Sequence, residues 1–252
     1  LAGWTLIDDY GVASDDDLYT GIWYKEVVDA STEPATYDFV AVDTNEAFSY
    51  WMGSLMNVDT ADPIDASSAW SQLVNQTSPA IPNITTVTDG SLTIGAWYTL
   101  NDTDVDLPTD PWRTQVEDVV SAGNNNLSVV SQLIETAGQT GTSTAGGFTA
   151  GRDVHVGQFA FKPAATPSAT GTMIAATVTQ TPIGGSDVTL FNEITLADEL
   201  TGSGTVAAAA NISVTTPTVV DDDVLVVIIG KEDDFDVTPP AGWVEIAELA
   251  DA

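Results

Sequence analysis

Val224-Leu225-Val226-Val227-Ile228-Ile229 is the longest uninterrupted apolar run in the chain, and it stands directly behind three aspartates, Asp221 to Asp223. Six residues are far too few to cross a bilayer. The whole segment Val219 to Ile229 is nearly all apolar apart from the aspartates. That is the pattern of a central strand of a sandwich, covered on both faces, rather than of a surface strand with one wet face. The segment has a partner. PTVVDDDVLVVII from Pro217 resembles TTVTDGSLTIGAW from Thr85, and the acidic turns that follow also align, DDFD at Asp233 with NDTD at Asn101. Each then passes through prolines to a tryptophan, Trp243 or Trp112.

A second repeat lies elsewhere. YGVASDDDLYTGIWYKEVV from Tyr10 aligns with DVVSAGNNNLSVVSQLIET from Asp118. Asp15, Asp16 and Asp17 fall on Asn124, Asn125 and Asn126, Leu18 on Leu127, Glu26 on Glu135 and Phe39 on Phe148; further on, Tyr50 and Met52 fall on Phe159 and Phe161. The chain also opens and closes on one motif, LAGWTLI at 1–7 and PAGWVEI at 240–246. These matches predict an internal duplication, with half-repeats of about 1–58 and 84–163. They also predict either a window of a longer periodic array or a permuted subunit. Residues 1–163 then form the major part of a sandwich. Residues 211–252 supply its opening strands, closing on their own chain or on a neighbouring copy.

Composition agrees. Of 252 residues, 37 are acidic and 5 basic, a net charge of −32, with 43% hydrophobic residues. Aspartate far outnumbers glutamate, which with the threonine and valine content favours strands and turns over helices. Five scattered cations cannot neutralise a phosphate backbone, so nucleic acid is excluded as a partner, and an anionic membrane would repel the chain. No cysteine is present, which removes disulfides, thiolate metal sites and cysteine nucleophiles; the single histidine removes imidazole-rich metal sites. Such acidity keeps a protein hydrated in saline surroundings, so an extracellular, cell-surface or virion location is expected.

Further short runs, Leu18 to Val28, Ala47 to Leu55, Ser91 to Tyr98 and Leu127 to Ile134, read as strands. HVGQFAF from His155 alternates, with Val156, Gln158 and Ala160 on one face and His155, Gly157, Phe159 and Phe161 on the other. Trp112 to Ser121 is the best helix candidate, but it lacks a clean helical period and aligns with a strand. Residues 59–83 read as a long polar connection anchored by Trp70. Residues 164–210 begin as a linker and then suggest an inserted β-hairpin or small β subdomain. The expected fold is an all-β, antiparallel, jelly-roll-like sandwich with an internal duplication and this insert.

Several motifs carry a resemblance. PPAGW at Pro239 to Trp243 and LAGW at Leu1 to Trp4 are followed by an aromatic strand with Tyr24-Lys25, by EPATYDF from Glu33 to Phe39, and by DTADPID from Asp59 to Asp65. In order these resemble a family of β-sandwich domains of phage tail-fibre and other virion proteins and of large bacterial surface proteins. The resemblance covers most of 205–252 plus 1–100, with the family's opening strands here at the C-terminus. It implies a structural or adhesive role and supplies no catalytic residues.

The chemical candidates are few. Asp102, Asp104 and Asp106 alternate, and Asp233, Asp234 and Asp236 stand at the matching place. Carboxylates two apart in a loop can converge on Ca²⁺, which takes six to eight oxygens, although no EF-hand pattern is present. The Asp15 and Asp221 triplets are weaker, because adjacent carboxylates point apart in extended chain. Asp153 and His155 with a serine would make a hydrolase triad, but no GxSxG elbow accompanies them. With 37 carboxylates, a glycosidase pair is too easily found to count. Trp23, Trp51, Trp70 and Trp97 are either core or, as in an exposed Trp97-Tyr98 pair, a platform for sugar rings. Five glycosylation sequons occur, at Asn75, Asn83, Asn101, Asn126 and Asn211.

The reading is therefore a non-enzymatic structural repeat subunit of a fibre or filament, requiring no cofactor beyond a Ca²⁺ ion at the acidic turns. Its partners would be copies of itself, as a homopolymer or a tandem array. The alternative is an adhesin module that binds a glycan or cell-surface receptor through exposed aromatics.

Overall fold

A computed structural model describes residues 4–12, 18–41, 46–68, 70–99, 105–108, 113–120, 125–148, 153–165, 194–206, 211–232, 237–238, 240 and 243–244. The strands are β1 (Trp4–Val12), β2 (Leu18–Glu26), β3 (Thr36–Ala41), β4 (Glu46–Met56), β5 (Ile64–Ser67), β6 (Ser71–Val74), β7 (Ala80–Ile81), β8 (Ser91–Thr99) and β9 (Arg113–Val120). They continue as β10 (Asn126–Ile134), β11 (Ser143–Thr144), β12 (Asp153–Phe161), β13 (Thr195–Val206), β14 (Asn211–Thr215), β15 (Val224–Glu232), β16 (Val237–Thr238) and β17 (Trp243–Val244). The only helical element among the described residues is a 3₁₀ turn, Ala30–Thr32, capped by Asp29, whose carboxylate accepts from Ser31 N–H.

The protein is an all-β sandwich. One six-stranded sheet runs β13-β4-β15-β2-β1-β17; the other runs β5-β12-β8-β10-β9, with β6 also on β12. The inner cluster between them joins Leu18, Ile22, Trp51, Leu55, Val224, Val226 and Ile228 of the first sheet to Ile94, Tyr98, Leu127, Val129, Phe159 and Phe161 of the second. Both outer faces are covered as well. A three-stranded sheet, β14-β3-β16, closes the first with Tyr37, Phe39, Ile212, Val214 and Val237 against Trp23, Met52, Leu225, Val227 and Ile229. The β7–β11 pair and nearby loops close the second with Ile81, Val105, Ala145 and Phe148 against Trp97, Val130, Val154 and Val156. This four-layer arrangement explains the sequence of β15. From Val224 to Ile229 its even positions face the inner cluster and its odd positions the outer one, so neither set can be polar.

The two large sheets share a strand order, β4-β15-β2-β1 and β12-β8-β10-β9, antiparallel throughout. They stack in opposite senses: β4 and β13 lie near β9 and β10, and β1 lies near β6. Along the chain the strands of each large sheet alternate with strands of its own covering layer, as in β2-β3-β4 and β13-β14-β15-β16-β17 for the first and β6-β7-β8 and β10-β11-β12 for the second. β15 comes from the C-terminal part of the chain and occupies the middle of the first sheet, between β2 and β4 of its own chain.

Some segments read differently in three dimensions. Within the polar connection 59–83, β5 and β6 both pair with β12 and finish the second sheet. Trp70 between them is buried over Gly157, where a Cβ would meet the indole. The helix candidate at 112–121 contains β9, a strand. Of the insert at 164–210, the hairpin core lies outside the described residues, while β13 is an edge strand of the first sheet, paired along β4. The sequence match of Tyr50 with Phe159 joins opposite faces: Tyr50 belongs to an outer cluster and Phe159 to the inner one. Leu18 with Leu127 and Phe39 with Phe148 do occupy corresponding layers.

Candidate functional site

Of the residues that carry the resemblance, those of Tyr24-Lys25, Glu33 to Phe39 and Asp59 to Asp65 lie at turns and layer contacts, whereas residues 1–3, 239 and 241–242 lie outside the described residues. Lys25 on β2 pairs with the Glu33 carboxylate, and the Tyr37 hydroxyl donates to the same carboxylate. The Lys25 ammonium also lies 5.7 Å from the Tyr37 ring centroid. Phe39 meets Trp23 at 5.4 Å between centroids. YK, EPATY and F thus form one joint that fastens the covering sheet to β2. The ion pair is largely shielded from solvent and satisfied by a second donor, the condition under which such a pair is tolerated in a core.

DTADPID is a second joint. Asp59 accepts from Ala61 N–H, an Asx-type turn, and Lys162 reaches Asp62 at 3.0 Å and Asp59 at 3.2 Å. Hydrogen bonding to Asp62 and Asp59 raises the Lys162 pKa. Asp65 Oδ2 accepts from Val87 N–H, Thr88 N–H and the Ser91 hydroxyl, so it holds the loop that leads into β8. The Asp221 triplet is likewise a turn. Asp221 accepts from Ala30 N–H, Asp222 takes a left-handed φ of 68°, and buried Asp223 accepts from the Ser54 hydroxyl and Val220 N–H. Three adjacent carboxylates therefore point to three different partners or to solvent.

Of the acidic-turn positions considered for Ca²⁺, Asp102, Asp104, Asp234 and Asp236 lie outside the described residues, as does Asp233. Asp106 is exposed and exchanges two backbone hydrogen bonds with Gly146. Among the described residues no three acidic or imidazole side chains gather as a metal set.

His155 sits on β12 inside the sandwich. Desolvation lowers its pKa from 6.5 to about 3, so the imidazole is neutral at ordinary pH. Its Nδ1 lies 2.9 Å from the Thr20 hydroxyl of β2, a polar link across the two sheets. The Asp153 carboxylate accepts from Gln72 Nε2 at 2.6 Å. A second cross-sheet link joins β4 to the start of β10, where Asn125 Nδ2 donates to Ala47 C=O and the Ser49 hydroxyl donates to Asn125 C=O, each at 3.4 Å. Nothing in the sequence marked Thr20 as the partner of His155, because the contact spans two sheets.

The tryptophans whose side chains are described are core. Trp23, Trp51, Trp70 and Trp97 are all buried, and Tyr98 is fully so. Trp51 Nε1 donates to Glu199 Oε2 at 2.7 Å, fastening β13 to β4, and Trp97 Nε1 donates to Pro79 C=O at 3.1 Å. The Trp97-Tyr98 pair is therefore buried and offers no platform for sugar rings. These sites define an all-β sandwich whose distinctive residues build turns and joints. No protein-family model, curated protein or solved structure matches the chain.

The burial of His155 has a measurable consequence. Its folded pKa lies below the unfolded value, so the unfolded chain binds the extra proton first. Stability from this group is complete above about pH 6.5 and is lost as pH falls toward 3. Unfolding free energy should drop by up to about 1.4 kcal/mol per pH unit within that window. Urea titrations between pH 7 and pH 5, above the range of ordinary carboxylates, isolate the effect. His155→Asn should flatten the slope; an unchanged slope would show that His155 is not desolvated as described.

Proposed function

We propose that this chain is a structural repeat subunit of an extracellular or virion fibre or filament, assembling through β-strand contacts without catalysis. The observation that carries the reading is the shared strand order of the two large sheets, together with the like motifs at Trp4 and Trp243 lying side by side. A sandwich made of two corresponding sheets, each with its own covering layer, suits a unit built for repetition and load rather than for a cleft. The duplication inferred from sequence gives this correspondence its simplest origin. The resemblance to virion and bacterial surface domains supports the same role.

Charge sets the condition for assembly. At −32 per chain, copies repel one another until counterions screen them. The Debye length falls from about 10 Å at 0.1 M salt to about 3 Å at 1 M. Sedimentation and electron microscopy across that range should show elongated multimers growing with NaCl. A globular monomer at every salt and protein concentration would contradict the proposal. CaCl₂ at matched ionic strength separates general screening from a specific cation at the acidic turns.

A further inference from the structure

We propose that the β1 edge of the first sheet is the interface between copies of this chain, and that its occupant is the segment around Trp243 of a second copy. This rests on the structural-subunit reading and names its contact. Within the chain, β17 pairs with β1 in parallel, Trp4 opposite Trp243 and Thr5 opposite Val244. Trp4 and Trp243 are the tryptophans that end the two AGW motifs of the sequence. Tryptophan thus lies beside tryptophan in parallel register, the alignment by which copies of one segment can add to one another.

Strand order shows why the segment is spare. In the second sheet, the strand that follows β8 is β9, and it lies against β10. In the first sheet, the next strand after β15 is β17, reached through β16 of the covering layer, and its corresponding place would be against β2. β1 holds that place, paired along β2 from Trp4 to Val12. Two segments of one motif therefore compete for one position, and the displaced one rests outside, on two residues of β1. The register shift between Leu6 and Asp8 falls beyond those two residues, so the start of the edge is regular.

The bulge and Asp8-Asp9 guard the rest of β1, and the other edges of the two large sheets are guarded as well. β13 carries Asp198 and Glu199 and a register shift between Leu196 and Asp198. Asp198 is held below the ordinary carboxylate range by hydrogen bonding from Thr218, so it stays charged. β5 and β6 are four residues each, and β9 has two register shifts against β10. Short, bulged and charged edges resist pairing. The contact at β1 joins an N-terminal strand of one copy to a C-terminal segment of another, a head-to-tail interface that closes into rings or propagates as a filament. Exchange makes the same hydrogen bonds as closure within one chain, so it wins when copies are concentrated above the intramolecular effective concentration.

The test uses cysteines, of which the chain has none. Paired strands lie about 4.8 Å apart, within the Cα separation a disulfide accepts. Thr5→Cys and Val244→Cys are prepared as separate variants, mixed under assembling salt and oxidised. A disulfide-linked species of twice the chain mass, absent from either variant alone, is expected. The double variant, oxidised while dilute, should lock within one chain and lose assembly until reduced. Multimers that form from the mixture with no cross-link would overturn this interface and leave the structural role standing. No multimers and no cross-link would overturn both. A cysteine-free chain ending at Pro240, which keeps β15 and β16 but lacks β17, gives an independent reading: it should retain a cooperative urea transition and form no multimers at any salt, and multimers persisting in it would reject the proposal even if the cysteine variants misfold.

Discussion

Deletion of residues 211–252 is expected to leave a chain that does not fold. β15 lies between β2 and β4, so its loss cuts the first sheet in two and creates two new edges at its centre. Val224, Val226 and Ile228 leave the inner cluster; Leu225, Val227 and Ile229 leave the outer one, with Ile212 and Val214 of the covering sheet. Full burial of such a side chain contributes about 1.5–3 kcal/mol. The six strand residues alone then contribute roughly 10 kcal/mol or more, against a typical total stability of about 5–15 kcal/mol. The turn also goes, and with it Asp223, which holds Ser54 and, through its carbonyl, Val27 N–H. Far-UV circular dichroism and urea titration would check this. A cooperative transition in the deleted chain with the parent's m-value would mean that β15 is dispensable and that the sheet order is wrong.

Gly230→Val is expected to be among the more destabilising single changes in this core, although it adds only three carbons. A Cβ at Gly230 would come within 2.2–2.5 Å of three ring carbons of Tyr98, which projects from β8 of the opposite sheet. Neither side can retreat. Gly230 is held between Ser49 of β4 and Thr20 of β2, and Tyr98 between Leu127 of β10 and His155 of β12. Overpacking costs about 1–3 kcal/mol where the core adjusts and more where it cannot. A loss of at least about 3 kcal/mol is expected, lowering the melting temperature by roughly 10 °C in a chain of this size. Gly230→Ala should already show much of the effect. Combining Gly230→Val with Tyr98→Ala should cost less than the sum of the two single changes, because the smaller side chain vacates the space. A melting temperature within about 2 °C of the parent for Gly230→Ala would show that the sheets do not approach so closely there.

Local chemistry carried much of this fold openly. The run Val224 to Ile229 behind its aspartates is a strand covered on both faces, as its lack of polar alternation implied. HVGQFAF is a strand whose two faces divide as the alternation divided them, Val154 and Val156 outward, Phe159 and Phe161 inward. Trp70 anchors its polar segment in the core. The strands beside it were hidden, because four-residue edge strands such as Ile64–Ser67 and Ser71–Val74 carry too few residues for a period to register. Trp97-Tyr98 could be read as platform or core, since an aromatic pair has the same letters whether or not another layer covers it.

Residue chemistry by itself determined the β class, the acidity, the lack of cysteine chemistry, and the turns at which aspartate, glycine and proline stop the strands. These depend on neighbours a few residues apart. Tertiary structure alone decided that β15 closes its own sheet, that each large sheet receives a second covering layer, and that His155 meets Thr20. It also placed Trp4 beside Trp243. Such contacts join residues far apart in the chain, and their free energy depends on which surfaces meet rather than on any local pattern.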